Sequence, residues 1–140
     1  MTNELKKLLL VDDDPDLLEE YKLQFKSKGY IVFTAEDIEN GWELFQVEKP
    51  VAVVVGLIME EYDKGFVLCH RIKKDSWGKN IPVFLLTAAT YATGFKFSSS
   101  TSEEKEWIKC EEVINKPVSV DDLIGRIENY YKKQQAEIPA

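Results

Sequence analysis

Nowhere in this 140-residue chain is there an apolar run of the roughly 18 or more residues that would span a bilayer. The opening Met1-Thr2-Asn3-Glu4-Leu5-Lys6-Lys7 lacks the hydrophobic core of a secretory signal, so a cytoplasmic protein is expected, with no membrane contact. Basic residues are also short: 18 against 25 acidic ones leave a net charge of −7, which disfavours attraction to nucleic acid or to an anionic membrane surface. There is one histidine, His70, and there are two cysteines, Cys69 and Cys110, with no metal-type spacing among them. The thiols read as reduced and structural. His70, flanked by Arg71, Lys73 and Lys74, reads as a surface residue of a helix. No predicted strand is followed by a glycine-rich phosphate loop, which argues against a nucleotide- or flavin-dependent enzyme.

What is present is organised around Val51-Ala52-Val53-Val54-Val55-Gly56, an almost unbroken β-branched run. Such a run suits a strand covered on both faces, in the middle of a parallel sheet. Leu8-Leu9-Leu10-Val11 predicts a first strand that stops at three acids, Asp12, Asp13 and Asp14. Asp14 can cap a helix that opens with Pro15 and carries Leu17, Leu18, Tyr21 and Phe25 at helical spacing as far as Gly29. Tyr30 to Thr34 predicts a second strand, and Asp37 a cap for a helix with Ile38, Trp42 and Phe45 on one face. A third helix turns Leu68, Cys69 and Ile72 inward, and Ile81 to Thr87 forms a fourth strand entered through Pro82.

From Ala88 to about Ser102 no period is visible, so a long connection is expected, with a short helix over about Ser102 to Lys109. Tyr91, Phe95, Phe97 and Trp107 read as a hydrophobic cluster pinning that connection or as a partner-binding face. Val113 and Ile114 mark a fifth strand closed by Lys116-Pro117, and Ser119 with Asp122 starts a last helix. Five strands alternating with helices imply a single α/β domain, a doubly wound five-stranded parallel sheet with right-handed crossovers. One domain over residues 1–140 is expected, with its core at about 5–133 and no output domain beyond it.

In open parallel sheets, chemistry gathers beyond the C-terminal strand ends. Three groups fall there: Asp12 and Asp13 after the first strand, Thr87 at the fourth and Lys116 at the fifth. Paired carboxylates suit a hard cation such as Mg²⁺. A hydroxyl and an ammonium opposite them suit a phosphoryl group. Asp14 is left as the helix cap.

On these stretches the sequence resembles the receiver domain of two-component response regulators. The carrying residues are Leu9 to Leu18, Gly65 to Cys69, Ile81 to Ala88 and Asn115-Lys116-Pro117, in order over about residues 5–133. The resemblance implies a flavodoxin-like (CheY-like) fold of strand order 2-1-3-4-5. It also implies metal ligation by Asp12, Asp13 and the Ile58 carbonyl, and a phosphoryl pocket of Thr87, Ala88 and Lys116 around the residue that closes the third strand. In the family that residue is an aspartate, phosphorylated from a histidine kinase. Here it is Gly56.

Leu57-Ile58-Met59 follows Gly56 as similar residues follow the family's aspartate, so the match needs no gap until the loop. Glu60, the nearest later acid before Glu61 and Asp63, lies four residues on, about 13 Å along an extended chain. Two further departures affect signalling. Val113 stands where the family has a Tyr or Phe that reports phosphorylation, and the Tyr91 to Ser100 stretch alters the connection before the usual signalling helix.

The expectation is a stand-alone, degenerate receiver that is not an enzyme. It would bind Mg²⁺ weakly and work through contacts with signalling proteins, a histidine kinase or a downstream effector. The competing expectation is a phosphorylatable receiver, in which another acid serves as acceptor or a native aspartate has been replaced by Gly56.

Overall fold

The computed structural model describes residues 6–56, 64–87, 112–115 and 118–137. Five parallel strands form one sheet: β1 (Lys7–Val11), β2 (Ile31–Ala35), β3 (Ala52–Gly56), β4 (Val83–Thr87) and β5 (Glu112–Asn115). Their order is β2-β1-β3-β4-β5, as expected from the flavodoxin-like resemblance. The helices are α1 (Pro15–Ser27), α2 (Ile38–Glu48), α3 (Lys64–Lys74) and α4 (Val120–Glu137). The expected helix near Ser102 and the long connection, with its aromatic residues, lie outside the described residues. No helix among the described residues is long and apolar enough to cross a membrane.

Alternation along the strands divides the core in two. Leu8, Leu10, Val54, Phe84 and Leu86 face α1 and α4, where Leu18, Phe25, Leu123 and Ile127 complete the packing. Leu9, Val11, Val53, Val55 and Leu85 face α2 and α3, against Phe45, Leu68, Cys69 and Ile72. Every residue of β3 is buried, the consequence of helices on both faces. His70 is half-buried on α3 rather than fully exposed.

Local capping follows from side-chain chemistry. Asp14 Oδ1 accepts from the Asp16 and Leu17 N–H groups at 3.0 and 3.3 Å. Asp37 accepts from Asn40 N–H at 2.8 Å, and Ser119 Oγ from Asp122 N–H at 3.0 Å. Two tyrosines tie distant segments together: Tyr21 donates to the Val118 carbonyl at 2.6 Å, and Tyr131 donates to that of Val51.

Tyr30 is a contrast. It is buried edge-to-face on Phe25, and its hydroxyl has no hydrogen-bond partner among the described residues. Burial first, and Glu128 second, push this phenol above its ordinary value of 10.0. A folded-state value above the unfolded one gives stability that is intact below about pH 10 and is lost as pH rises through the folded value. Tyr30→Phe should therefore add about 1 kcal/mol at neutral pH, because an unsatisfied hydroxyl is removed. It should also soften the alkaline loss of stability, both read by urea unfolding at pH 7 and above pH 10. Tyr21, raised mainly by burial, keeps part of that alkaline loss in place.

Candidate phosphoryl pocket

The sheet register carries the sequence-predicted residues to one edge. Val11 pairs with Val55, so Asp12, the next residue, comes beside Gly56. Gly56 pairs with Leu86, and Thr87 with Asn115, the residue before Lys116. Asp12, Gly56 and Thr87 thus lie at the C-terminal ends of β1, β3 and β4, where the spacing of the motifs puts them. The Thr87 side chain and all of Ile58, Ala88 and Lys116 lie outside the described residues, as do Glu60, Glu61 and Asp63. The backbone at Val113 is in β5, and its side chain is not described.

Asp12 is the centre of the described part. Its backbone N–H extends the β1–β2 ladder, donating to the Ala35 carbonyl at 3.1 Å. Its side chain is only 3% exposed, and it is the buried charged residue among the described ones. Oδ1 accepts from the Asp14 N–H at 3.0 Å. The bond closes the turn between β1 and α1 and seats Asp14, whose own carboxylate caps α1. Asp13, next to it, is exposed.

The position of Asp12 Oδ2 was not legible in the sequence. A Cβ placed on Gly56 would lie 2.1 Å from Oδ2 and 2.6 Å from Cγ of Asp12. The carboxylate therefore occupies the space through which any side chain at position 56 would leave the strand. Receiver domains typically bind Mg²⁺ at the phosphorylation site, and such an ion takes near-octahedral oxygen ligands. Gly56 offers no side-chain oxygen, and one Asp12 oxygen is turned to a backbone amide while the other lies over the glycine. As arranged, these described side chains do not form an oxygen cage for a resident ion.

A second concavity was missed in the sequence. It lies at the C-terminal end of β2, beside α2, and is lined by Thr34, Glu36, Glu43, Leu44 and Val47. Its residues are spread over a strand end and the far face of a helix, with no local motif to mark them.

Comparison with known proteins agrees with the geometry. The response regulator receiver domain family matches residues 8–128. A probable transcriptional regulator ycf27 of Guillardia theta is 30% identical over 126 residues, covering 87% of this chain and 44% of that protein. The DNA-binding dual master transcriptional regulator RpaA of a Synechocystis strain is 26% identical, over 88% of this chain and 48% of its own length. The chain thus spans about half the length of these relatives. A CheY-like receiver domain protein from Methanospirillum hungatei superposes with a TM-score of 0.76 at 22% identity, covering 96% of this chain and all of that one. The receiver domain of the Francisella response regulator 1452 gives 0.69 at 26% identity, over 92% of this chain and 98% of that one. With the strand order in agreement and the family model matching most of its length, the chain belongs to the response regulator receiver domain family of two-component signalling.

Proposed function

We propose that this chain is a degenerate receiver, a signalling module that acts by protein–protein contact without accepting a phosphoryl group. The observation that carries the reading is Gly56 at the C-terminal end of β3, paired with Leu86 and beside Asp12, where the family's acceptor aspartate would stand. A carboxylate nucleophile is the group that forms the acyl phosphate, and glycine has none. The valine at position 113, in place of an aromatic reporter, supports the same reading. Metal affinity should be weak, because the side chain closing β3 supplies no ligand.

The partners are signalling proteins: a histidine kinase that docks without transferring phosphate, or an effector protein. The relatives include transcriptional regulators, but the net charge of −7 gives this domain no electrostatic attraction to DNA. We place its action in the cytoplasm, where two-component partners meet, and assign it no catalytic activity of its own.

The test is intact mass after incubation with acetyl phosphate and Mg²⁺. The protein should keep its unmodified mass, and several millimolar Mg²⁺ should leave its melting temperature unchanged, since a ligand that scarcely binds adds no stability. Stoichiometric gain of a phosphoryl group would overturn the reading and point to another acceptor.

A further inference from the structure

We infer that Asp12 has changed its role: its carboxylate fills the space left by the missing side chain at Gly56, where it serves as a positioning residue for the β1–α1 turn. The inference rests on the reading of Gly56 as the vacated acceptor position. It does not depend on whether phosphate is ever accepted elsewhere.

Three observations meet at this point. Oδ2 and Cγ of Asp12 lie 2.1 and 2.6 Å from the place of a Cβ on Gly56, closer than any real side chain could tolerate. The same carboxylate holds the Asp14 N–H through Oδ1 at 3.0 Å. Asp14, fixed in extended backbone at φ −97° and ψ 102°, in turn caps the first turn of α1. The chain of contacts runs from a glycine on β3, through a buried carboxylate after β1, to the N-terminus of α1. Glycine at position 56 is then more than the loss of an acceptor. It leaves the room that the Asp12 carboxylate occupies over the end of β3.

Gly56 lies in a strand without a positive φ, so its backbone would accept alanine. What opposes alanine first is Asp12: the three atoms nearest the added Cβ are its Oδ2, its Cγ and, at 3.3 Å, its Cβ. Removing the Asp12 carboxylate takes away the two nearest of these contacts and leaves that to its Cβ.

A double-mutant cycle reads this directly. Gly56→Ala in the otherwise unchanged protein should lower the melting temperature by roughly 3–10 °C, the range for overpacking at a buried site. In the Asp12→Ala background the same change should be neutral or raise it by about 1–2 °C, because alanine restricts the unfolded chain. A second readout is the Asp14 amide in a proton–nitrogen NMR spectrum. Gly56→Ala should move that resonance and speed its hydrogen exchange, although position 56 is on a different strand.

Equal effects of Gly56→Ala in both backgrounds, or an unmoved Asp14 amide, would overturn the inference while leaving the functional reading intact. Should Gly56→Ala fail to fold, the Asp12→Ala/Gly56→Ala protein should still fold. Its failure beside a folded Asp12→Ala protein overturns the inference too. A phosphoryl adduct on the unsubstituted protein counts against the functional reading alone, since the coupling is measured without phosphate.

Discussion

Replacing Gly78 by alanine should destabilise this protein by at least about 3 kcal/mol, among the larger losses that a one-carbon addition can cause. A Cβ at this position would lie 1.9 Å from the carbonyl oxygen of Ile72 and 2.7 Å from its carbonyl carbon. Those are backbone atoms of α3, so no rotamer change relieves the overlap. The helix end or the turn Gly78–Asn80 must shift instead. That turn is tied on several sides: Lys79 N–H donates to the Asp75 carbonyl, Ile81 N–H to that of Gly78, and the Trp77 indole to Pro50 at 2.8 Å. Lys73 Nζ reaches the Ile81 carbonyl at 2.8 Å. A displaced turn would therefore disturb the entry to β4 and the segment before β3 together. Typical domains have net stabilities of about 5–15 kcal/mol, so a loss of this size removes a large fraction of the whole.

The measurement is urea unfolding, with a fall in the midpoint and little change in slope. Gly125→Ala is the control. A Cβ there meets nothing within 4 Å, and the residue lies inside α4. That change should add roughly 0.5–1 kcal/mol through helix propensity. Similar losses at both positions would refute the steric account of Gly78.

These two glycines show what could be read in advance. The caps at Asp14, Asp37 and Ser119 were legible because each is a local rule about one side chain and the two or three amides that follow it. The strand order and the gathering of Asp12, Gly56 and Thr87 at one sheet edge were legible because ordered motifs specify a known topology. Second-strand boundaries moved by one residue, from Tyr30–Thr34 to Ile31–Ala35, because Tyr30 is used as a core side chain before the ladder begins. Ile81 and Pro82 likewise precede the start of β4 at Val83.

Contacts across the fold left no trace in the spacing of residues. The Tyr21–Val118 and Tyr131–Val51 bonds join residues 97 and 80 positions apart. No local pattern marks Gly78, because its demand comes from the carbonyl of a residue on the preceding helix. The Asp12 carboxylate was expected to face a cation, and its Oδ2 lies over Gly56 on another strand. Sequence gives the identity of that neighbour but not the direction in which the carboxylate turns.

The Gly56→Asp variant should gain one phosphoryl group from acetyl phosphate in the presence of Mg²⁺, where the unsubstituted protein gains none. An aspartate at position 56 cannot coexist with the present Asp12 rotamer, because its first carbon would lie 2.1 Å from Oδ2. Asp12 must turn away from the strand end, giving up its bond to the Asp14 amide. Two carboxylates about 4 Å apart then repel by roughly 4 kcal/mol at an effective dielectric near 20. Without a divalent cation the variant should therefore melt below the unsubstituted protein. With Mg²⁺ at about 100 times its dissociation constant, mass action restores about 2.7 kcal/mol, a rise of several degrees for a domain of this size. The unsubstituted protein should show neither the initial loss nor the recovery. Mass spectrometry and paired melts with EDTA or Mg²⁺ check both halves of the expectation. If the variant recovers stability with Mg²⁺ yet takes no phosphate, the cation site has been rebuilt but the surroundings of position 56 no longer support transfer. If it neither recovers nor reacts, the displaced Asp12 has not rebuilt a cation site, and the loss of phosphorylation extends beyond the one residue at the end of β3.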